Sequence, residues 1–226
     1  MLGDKILIKP EYYALARTIF STLEKEPFMQ ATQRCVIGIG GESGSGKSVT
    51  ATCLRSLMDE QGIGVHILHQ DDYFILPPLQ NHLNRKADLK NVGMHEVDTE
   101  KLQHNIDSFL AGAEAVQAPL VDFNRDTITH RTFAFDDAQV LIVEGTYVLA
   151  LQNLNARIFL SRNYEDTRHL RTLRNRDTHV EADFIDRILE IEHQIISQFA
   201  DTASMVIDKS YRIKGNSSVQ PRAGLS

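Results

Sequence analysis

Gly41-Glu42-Ser43-Gly44-Ser45-Gly46-Lys47-Ser48 matches G-x-x-x-x-G-K-[ST] at every constrained position. Residues of these types at this spacing grip a triphosphate. The glycines let the backbone curl so that successive N–H groups point at phosphate oxygens, and a following helix adds the positive end of its dipole. Lys47 reaches the β- and γ-phosphates, and the Ser48 hydroxyl can ligate Mg²⁺. Gly41 to Val49 is therefore the candidate ATP-binding stretch. Asp71 and Asp72 stand in His69-Gln70-Asp71-Asp72-Tyr73-Phe74. A carboxylate at the mouth of such a cradle can take the proton of an attacking hydroxyl and orient it toward the γ-phosphoryl group. Glu144, closing the apolar run Val140 to Val143, is placed where an acid associated with Mg²⁺ belongs.

These residues need a frame. Cys35 to Gly41 is a continuous apolar run of the kind buried on both faces of a parallel sheet. Lys47 to Gln61 reads as a helix stopped by Gly62. Gly64 to His69, Val140 to Val143, Ala156 to Leu160 and Ser204 to Ile207 are further core strands. Helices are expected over Glu11 to Glu26, Thr99 to Leu110 (capped by Asp98), Asn163 to Arg174 and Glu181 to Phe199. Pro119 to Phe135 is a hairpin or irregular flap turning near Arg125-Asp126, and Asp71 to Asp98 is a long polar stretch without a period. Strands alternating with helices imply an α/β fold with a doubly wound parallel sheet, whose ligands sit at the carboxyl ends of the strands. The expected organisation is a helical extension over 1–34, a P-loop domain over 35–209 and a polar tail over 210–226.

Arg157, Arg162, Arg168, Arg171, Arg174 and Arg176 crowd one short region. Guanidinium groups suit phosphoryl oxygens because their planar fork donates to two at once. A guanine-specific switch is disfavoured: no N-K-x-D is present, and the D-x-x-G at Asp59 to Gly62 falls at a helix end.

The ordered set GESGSGKS, QDDYF, VDTEKL, APLVDF, VLIVEG, DTRHLRTLRNRD and SMVID resembles the group of uridine kinases, phosphoribulokinases and nicotinamide riboside kinases, from about Cys35 to Lys209. The resemblance implies a nucleoside kinase-like P-loop NTPase fold and a phosphotransferase acting on an alcohol group. It also implies Asp71 as catalytic base, Glu144 and Ser48 at Mg²⁺, and Lys47 with the lid arginines Arg168 and Arg171 (lid near 162–180) at the transferring phosphate. The acceptor pocket departs from that pattern. Asn91 to Asp98 reads NVGMHEVD where uridine kinases carry an F-D-H-P-like stretch, and Val121 stands where they carry tyrosine. The acceptor thus stays open among a nucleoside, nicotinamide riboside, pantothenate and a sugar phosphate, and an inert ATP-binding regulator is the rival class. His95, Glu96, His130 and Arg131 are candidate acceptor contacts.

The remaining totals exclude rather than assign. A formal charge of -6 argues against nonspecific nucleic-acid binding. Two cysteines are too few for a disulfide scaffold, and the apolar runs are too short for a membrane span. The start lacks a signal-peptide pattern, so a cytoplasmic location is expected; homo-oligomerisation is left open.

Overall fold

The computed structural model describes residues 8–166 and 182–215. The first helix, α1 (Pro10–Leu23), starts with proline in its first turn, where the missing N–H costs nothing. A short turn, α2 (Pro27–Gln30), leads into β1 (Cys35–Gly41), buried along its whole length. Next comes α3 (Lys47–Glu60), which ends as its sequence predicts. Gly62 has φ +75°; its N–H and that of Ile63 return to the carbonyls of Asp59 and Met58, both at 3.0 Å. The chain continues through β2 (Val65–His69), α4 (Pro78–Ala87) and α5 (Thr99–Leu110). Asp98 Oδ1 caps α5 by accepting from the Lys101 N–H at 2.8 Å. The hairpin of β3 (Ala115–Asp122) and β4 (Thr127–Ala134) follows, turning through Asp126 at φ 53°. Then come β5 (Val140–Gly145), β6 (Ala156–Leu160), α6 (Ala182–Ile196), β7 (Met205–Ile207) and β8 (Ile213–Gly215).

The main sheet has the order β2-β5-β1-β6-β7-β8, parallel except for β8. That antiparallel edge strand lies in what reads as a polar tail. It is made possible by a tight turn in which Asp208 Oδ1 accepts from the N–H groups of Ser210 and Arg212, with Tyr211 at φ 59°. The β3–β4 hairpin forms a separate two-stranded sheet. The long polar stretch conceals α4, whose buried side is polar (Asn81), so no apolar period announces it.

Alternation along β1 and β5 divides the core. Cys35, Ile37, Ile39, Val140 and Ile142 pack against α1 and α3, whereas Val36, Leu141 and Val143 pack against α5 and the segment after β5. Gly38 and Gly40 lie on the second face, where added Cβ atoms would come within 2.7 Å of Leu154 and 2.5 Å of Leu149. The sheet is thus covered on both faces, as its apolar strands require. Among the described residues no helix is long and apolar enough to cross a membrane.

Candidate active site

The cradle forms where β1 ends and α3 begins. Gly41, Gly44 and Gly46 have φ of +148°, +79° and +102°, backbone conformations that side-chain-bearing residues rarely adopt. Gly46 is also crowded: a Cβ there would meet the Tyr12 ring of α1 at 2.7 Å, and that ring stands edge-on to Tyr211, centroids 5.2 Å apart. Glu42, Gly44, Ser45 and Val49 are buried, and Ser43, Lys47 and Ser48 are half-buried. Lys47 Nζ donates to the Glu42 carbonyl at 2.9 Å. The Glu42 carboxylate accepts from the Tyr164 N–H at 2.6 Å and lies 2.5 Å from His193 Nδ1, tying α6 to the cradle.

Glu144 is 3% exposed at the end of β5. Cross-strand register sets it beside His69, and His69 Nδ1 lies 2.6 Å from its Oε1. Burial alone would push the Glu144 carboxyl up. Hydrogen bonding and charge from His69, the Lys47 ammonium and a hydrogen bond from Ser48 outweigh it and hold the carboxyl below its usual range. Ser48, Lys47 and Glu144, assigned from separate motifs, therefore share one site. A hydroxyl and an ionised carboxylate are hard oxygen donors of the kind Mg²⁺ takes. The positive-φ curl together with Ser45 Oγ, buried and without a hydrogen-bond partner among the described residues, suits an oxygen-rich anion. The residues fit the nucleotide and the ion.

Asp71 and Asp72 separate clearly. Both lie in a 3-10 turn, Gln70–Tyr73, directly after β2. Asp72 is 2% exposed, and its Oδ1 accepts from the Val121 N–H at 3.1 Å, anchoring the hairpin. Asp71 is half-buried and close enough to Glu192 to raise that residue's pKa. Lys47 acts on the same Glu192 in the opposite sense, so Asp71 and Lys47 both lie within electrostatic range of one buried carboxyl. Gln70 joins the two strand ends: its Oε1 accepts from the Tyr147 N–H at 2.7 Å, and a Cβ on Gly145 would meet Gln70 Cβ at 2.3 Å.

A buried polar cluster borders this mouth. Arg85 Nε donates to Glu96 Oε1, and its Nη2 donates to Glu96 Oε2 at 3.0 Å and to Glu192 Oε1 at 3.3 Å. Glu96 also accepts from Asn81 Nδ2 at 3.0 Å and from the Gly93 N–H at 2.7 Å. Burial, then the charge of Glu96, raises the Glu192 carboxyl against the pull of Arg85. Tyr147 is 1% exposed; its hydroxyl lies in the field of Glu192, Arg85 and Glu96 and has no hydrogen-bond partner among the described residues.

The other sequence candidates divide. Glu96 belongs to the cluster, whereas His95, His130 and Arg131 are exposed, Arg131 lying over the Phe133 ring. Arg157 donates to the carbonyls of Leu149, Leu151 and Leu154, holding the chain between β5 and β6, and Arg162 lies over Tyr211. Arg168, Arg171, Arg174 and Arg176 lie outside the described residues. Sequence reasoning missed His69, Arg85, Tyr147 and Glu192. Only His69 left a signal, since it and Glu144 close two adjacent strands.

The model of the phosphoribulokinase / uridine kinase family matches residues 36–177. A uridine kinase of Macrococcus caseolyticus is 32% identical over 196 residues, covering 81% of this chain and 90% of that protein. The bifunctional alpha-galactosidase/sucrose kinase AgaSK of Mediterraneibacter gnavus is 26% identical over 206 residues; the match covers 86% of this chain but only 22% of that longer protein. A possible uridine kinase from Bacillus stearothermophilus superposes with a TM-score of 0.59 at 23% identity, covering 82% of this chain and 95% of its own, a likeness of fold.

Proposed function

The chain belongs to the phosphoribulokinase / uridine kinase family, and from that premise we propose that it transfers the γ-phosphoryl group of ATP to a hydroxyl of a nucleoside or similar small acceptor, as a uridine kinase does. The observation that carries this reading is the meeting of Lys47, Ser48 and Glu144 at one site, with Asp71 across a shared carboxyl neighbour. The cradle amides and Lys47 hold the triphosphate. Ser48 and Glu144 would hold Mg²⁺, which would supply positive charge to offset that of the phosphates. Asp71 accepts the proton of the incoming hydroxyl, and Asp72 keeps the hairpin docked beside it. Such chemistry consumes ATP, which favours the cytoplasm.

Asp71→Ala is the test. It should retain ATP binding and lose about 10²–10⁴-fold in acceptor-dependent ADP release. Near-normal turnover would remove Asp71 from the mechanism, and absence of acceptor-stimulated ADP in the unaltered protein across a broad panel would favour an inert ATP-binding protein. A sugar acceptor is the second reading. It is favoured by the departure of Asn91 to Asp98 from the uridine kinase pattern and by the likeness to a protein named as a sucrose kinase.

A further inference from the structure

The last glycine of the cradle is held from outside the cradle. At Gly41 the nearest atoms to an added Cβ are the Leu160 carbonyl oxygen at 2.7 Å and Ser45 Oγ at 2.9 Å, which belong to the sheet and to the loop itself. At Gly46, φ +102°, they belong to the Tyr12 ring, with Cε1 at 2.7 Å and Oη at 3.3 Å. Gly46 is the N-cap of α3 and directly precedes Lys47 and Ser48, and it has no side chain with which to cap the helix. A glycine so placed leaves the left-handed conformation at little steric cost, and each alternative would displace the two residues that follow. The ring against its Cα closes that freedom. That ring is itself wedged: Tyr211 stands edge-on to it with centroids 5.2 Å apart, and the Arg162 guanidinium lies 4.1 Å from the Tyr211 centroid. Arg162 is fixed in turn, donating from Nη1 to Tyr211 Oη and from Nε to the Lys209 carbonyl at 3.2 Å. Tyr12 is 6% exposed, and both tyrosines lie outside residues 36–177, the stretch that the family model matches.

We propose that Tyr12 is a positioning residue for the nucleotide: backed by Tyr211 and Arg162, it holds Gly46 in the conformation that grips a triphosphate, so that α1 is a working part of the ATP site. The inference rests on the kinase reading above for the ligand of the cradle and deepens it. Tyr12 acts through Gly46 rather than on the ligand. Ordering a binding loop in advance raises affinity, because the ordering cost no longer falls on the binding step. The freedom at stake is that of one backbone residue, worth about a factor of ten in affinity. Asp71 and Glu144 are carried by the turn after β2 and by β5, elements separate from α1 and α3, so the effect falls on nucleotide affinity rather than on the transfer step.

The test separates grip from stability and from turnover. Affinity for a fluorescent, non-hydrolysable ATP analogue with Mg²⁺ and thermal unfolding are measured on the full chain, beside KM for ATP and kcat. Tyr12→Ala should weaken the analogue and raise KM for ATP about tenfold, with kcat at saturation within about twofold of the parent. Tyr12→Phe, which keeps the ring, should bind within about twofold of the parent, and Tyr211→Ala, which removes the backing, should weaken binding about threefold or more. Leu15, 2% exposed on the next turn of α1, is the control for stability. Leu15→Ala should lower Tm comparably and leave the affinity within about twofold. An affinity within about twofold of the parent in Tyr12→Ala or Tyr211→Ala, an equal loss in Leu15→Ala, or a loss in Tyr12→Phe as large as in Tyr12→Ala would overturn the brace. Should Tyr12→Ala not fold, Tyr211→Ala, at a half-buried turn residue, decides alone. If the variants bind as expected while no acceptor releases ADP, the kinase reading fails and the brace stands; if the parent binds no nucleotide, both fall.

Discussion

Gly145→Ala tests whether the two strand ends set the geometry of transfer. Gly145 needs no unusual backbone angle; its constraint is closeness, because an added Cβ would lie 2.3 Å from Gln70 Cβ and 2.8 Å from Gln70 Oε1. Carbon atoms settle at about 3.5–4.0 Å, so the ends of β2 and β5 would have to part by roughly 1.2–1.7 Å. Gln70 is pinned through Oε1 to the Tyr147 N–H, and it directly precedes Asp71. The displacement therefore passes to the proposed base and leaves the cradle glycines in place. Overpacking of this kind costs about 1–3 kcal/mol. In a chain of this length that is a fall in Tm of about 2–12 °C, at 2–4 °C per kcal/mol. A misplacement of about 1 Å at the reacting groups costs on the order of 10²-fold in rate. Steady-state kinetics at saturating acceptor should show that loss in kcat, with the affinity for a fluorescent ATP analogue within about threefold of normal. A variant with kcat within twofold of the parent and an unchanged Tm would refute the reasoning.

Removing Arg85 should be far more damaging than removing its pair. Arg85→Leu leaves the Glu96 carboxylate buried without a cation and should destabilise by about 3–5 kcal/mol in urea unfolding, whereas Arg85→Leu with Glu96→Leu should recover much of that; equal losses would contradict the pairing. The His69–Glu144 contact should appear as a pH-dependent stability. Burial lowers the His69 imidazole, but the hydrogen bond and charge of Glu144 outweigh it and raise its pKa above the ordinary 6.5. Its contribution is full below pH 6.5 and fades as pH climbs through the raised value. The lowered Glu144 contributes above its ordinary 4.5 and fades as pH falls through the lowered value. Thermal melts should therefore separate parent from His69→Gln most between about pH 4.5 and 6.5 and converge at alkaline pH; parallel curves would sink the assignment.

What the sequence made legible was whatever local chemistry enforces. The cradle glycines, the stop at Gly62 and the cap at Asp98 are dictated by neighbours within a few residues, and each stands where its pattern placed it. Cys35 to Gly41 and Ala156 to Leu160 were readable because strands buried on both faces must be apolar throughout. The acceptor side was opaque for the opposite reason. Glu192 lies on an ordinary amphipathic helix and is made notable only by Arg85, 107 residues away in the chain. Asp72 and Asp71 look alike in sequence, and it takes the fold, with Asp72 buried on the Val121 amide and Asp71 half-buried, to tell the anchor from the candidate base.

Tyr12 supports Gly46 from the first helix, and Tyr211, in the turn before the last strand, supports Tyr12. A nascent polypeptide that has just emerged through Ser48 already possesses every amide of the cradle, yet not the brace that keeps it curled. That brace is completed only when some 160 further residues, up to Tyr211, have left the ribosome. Until then Tyr12 stands against Gly46 without the ring that backs it, so the cradle's support is among the last contacts that synthesis makes available.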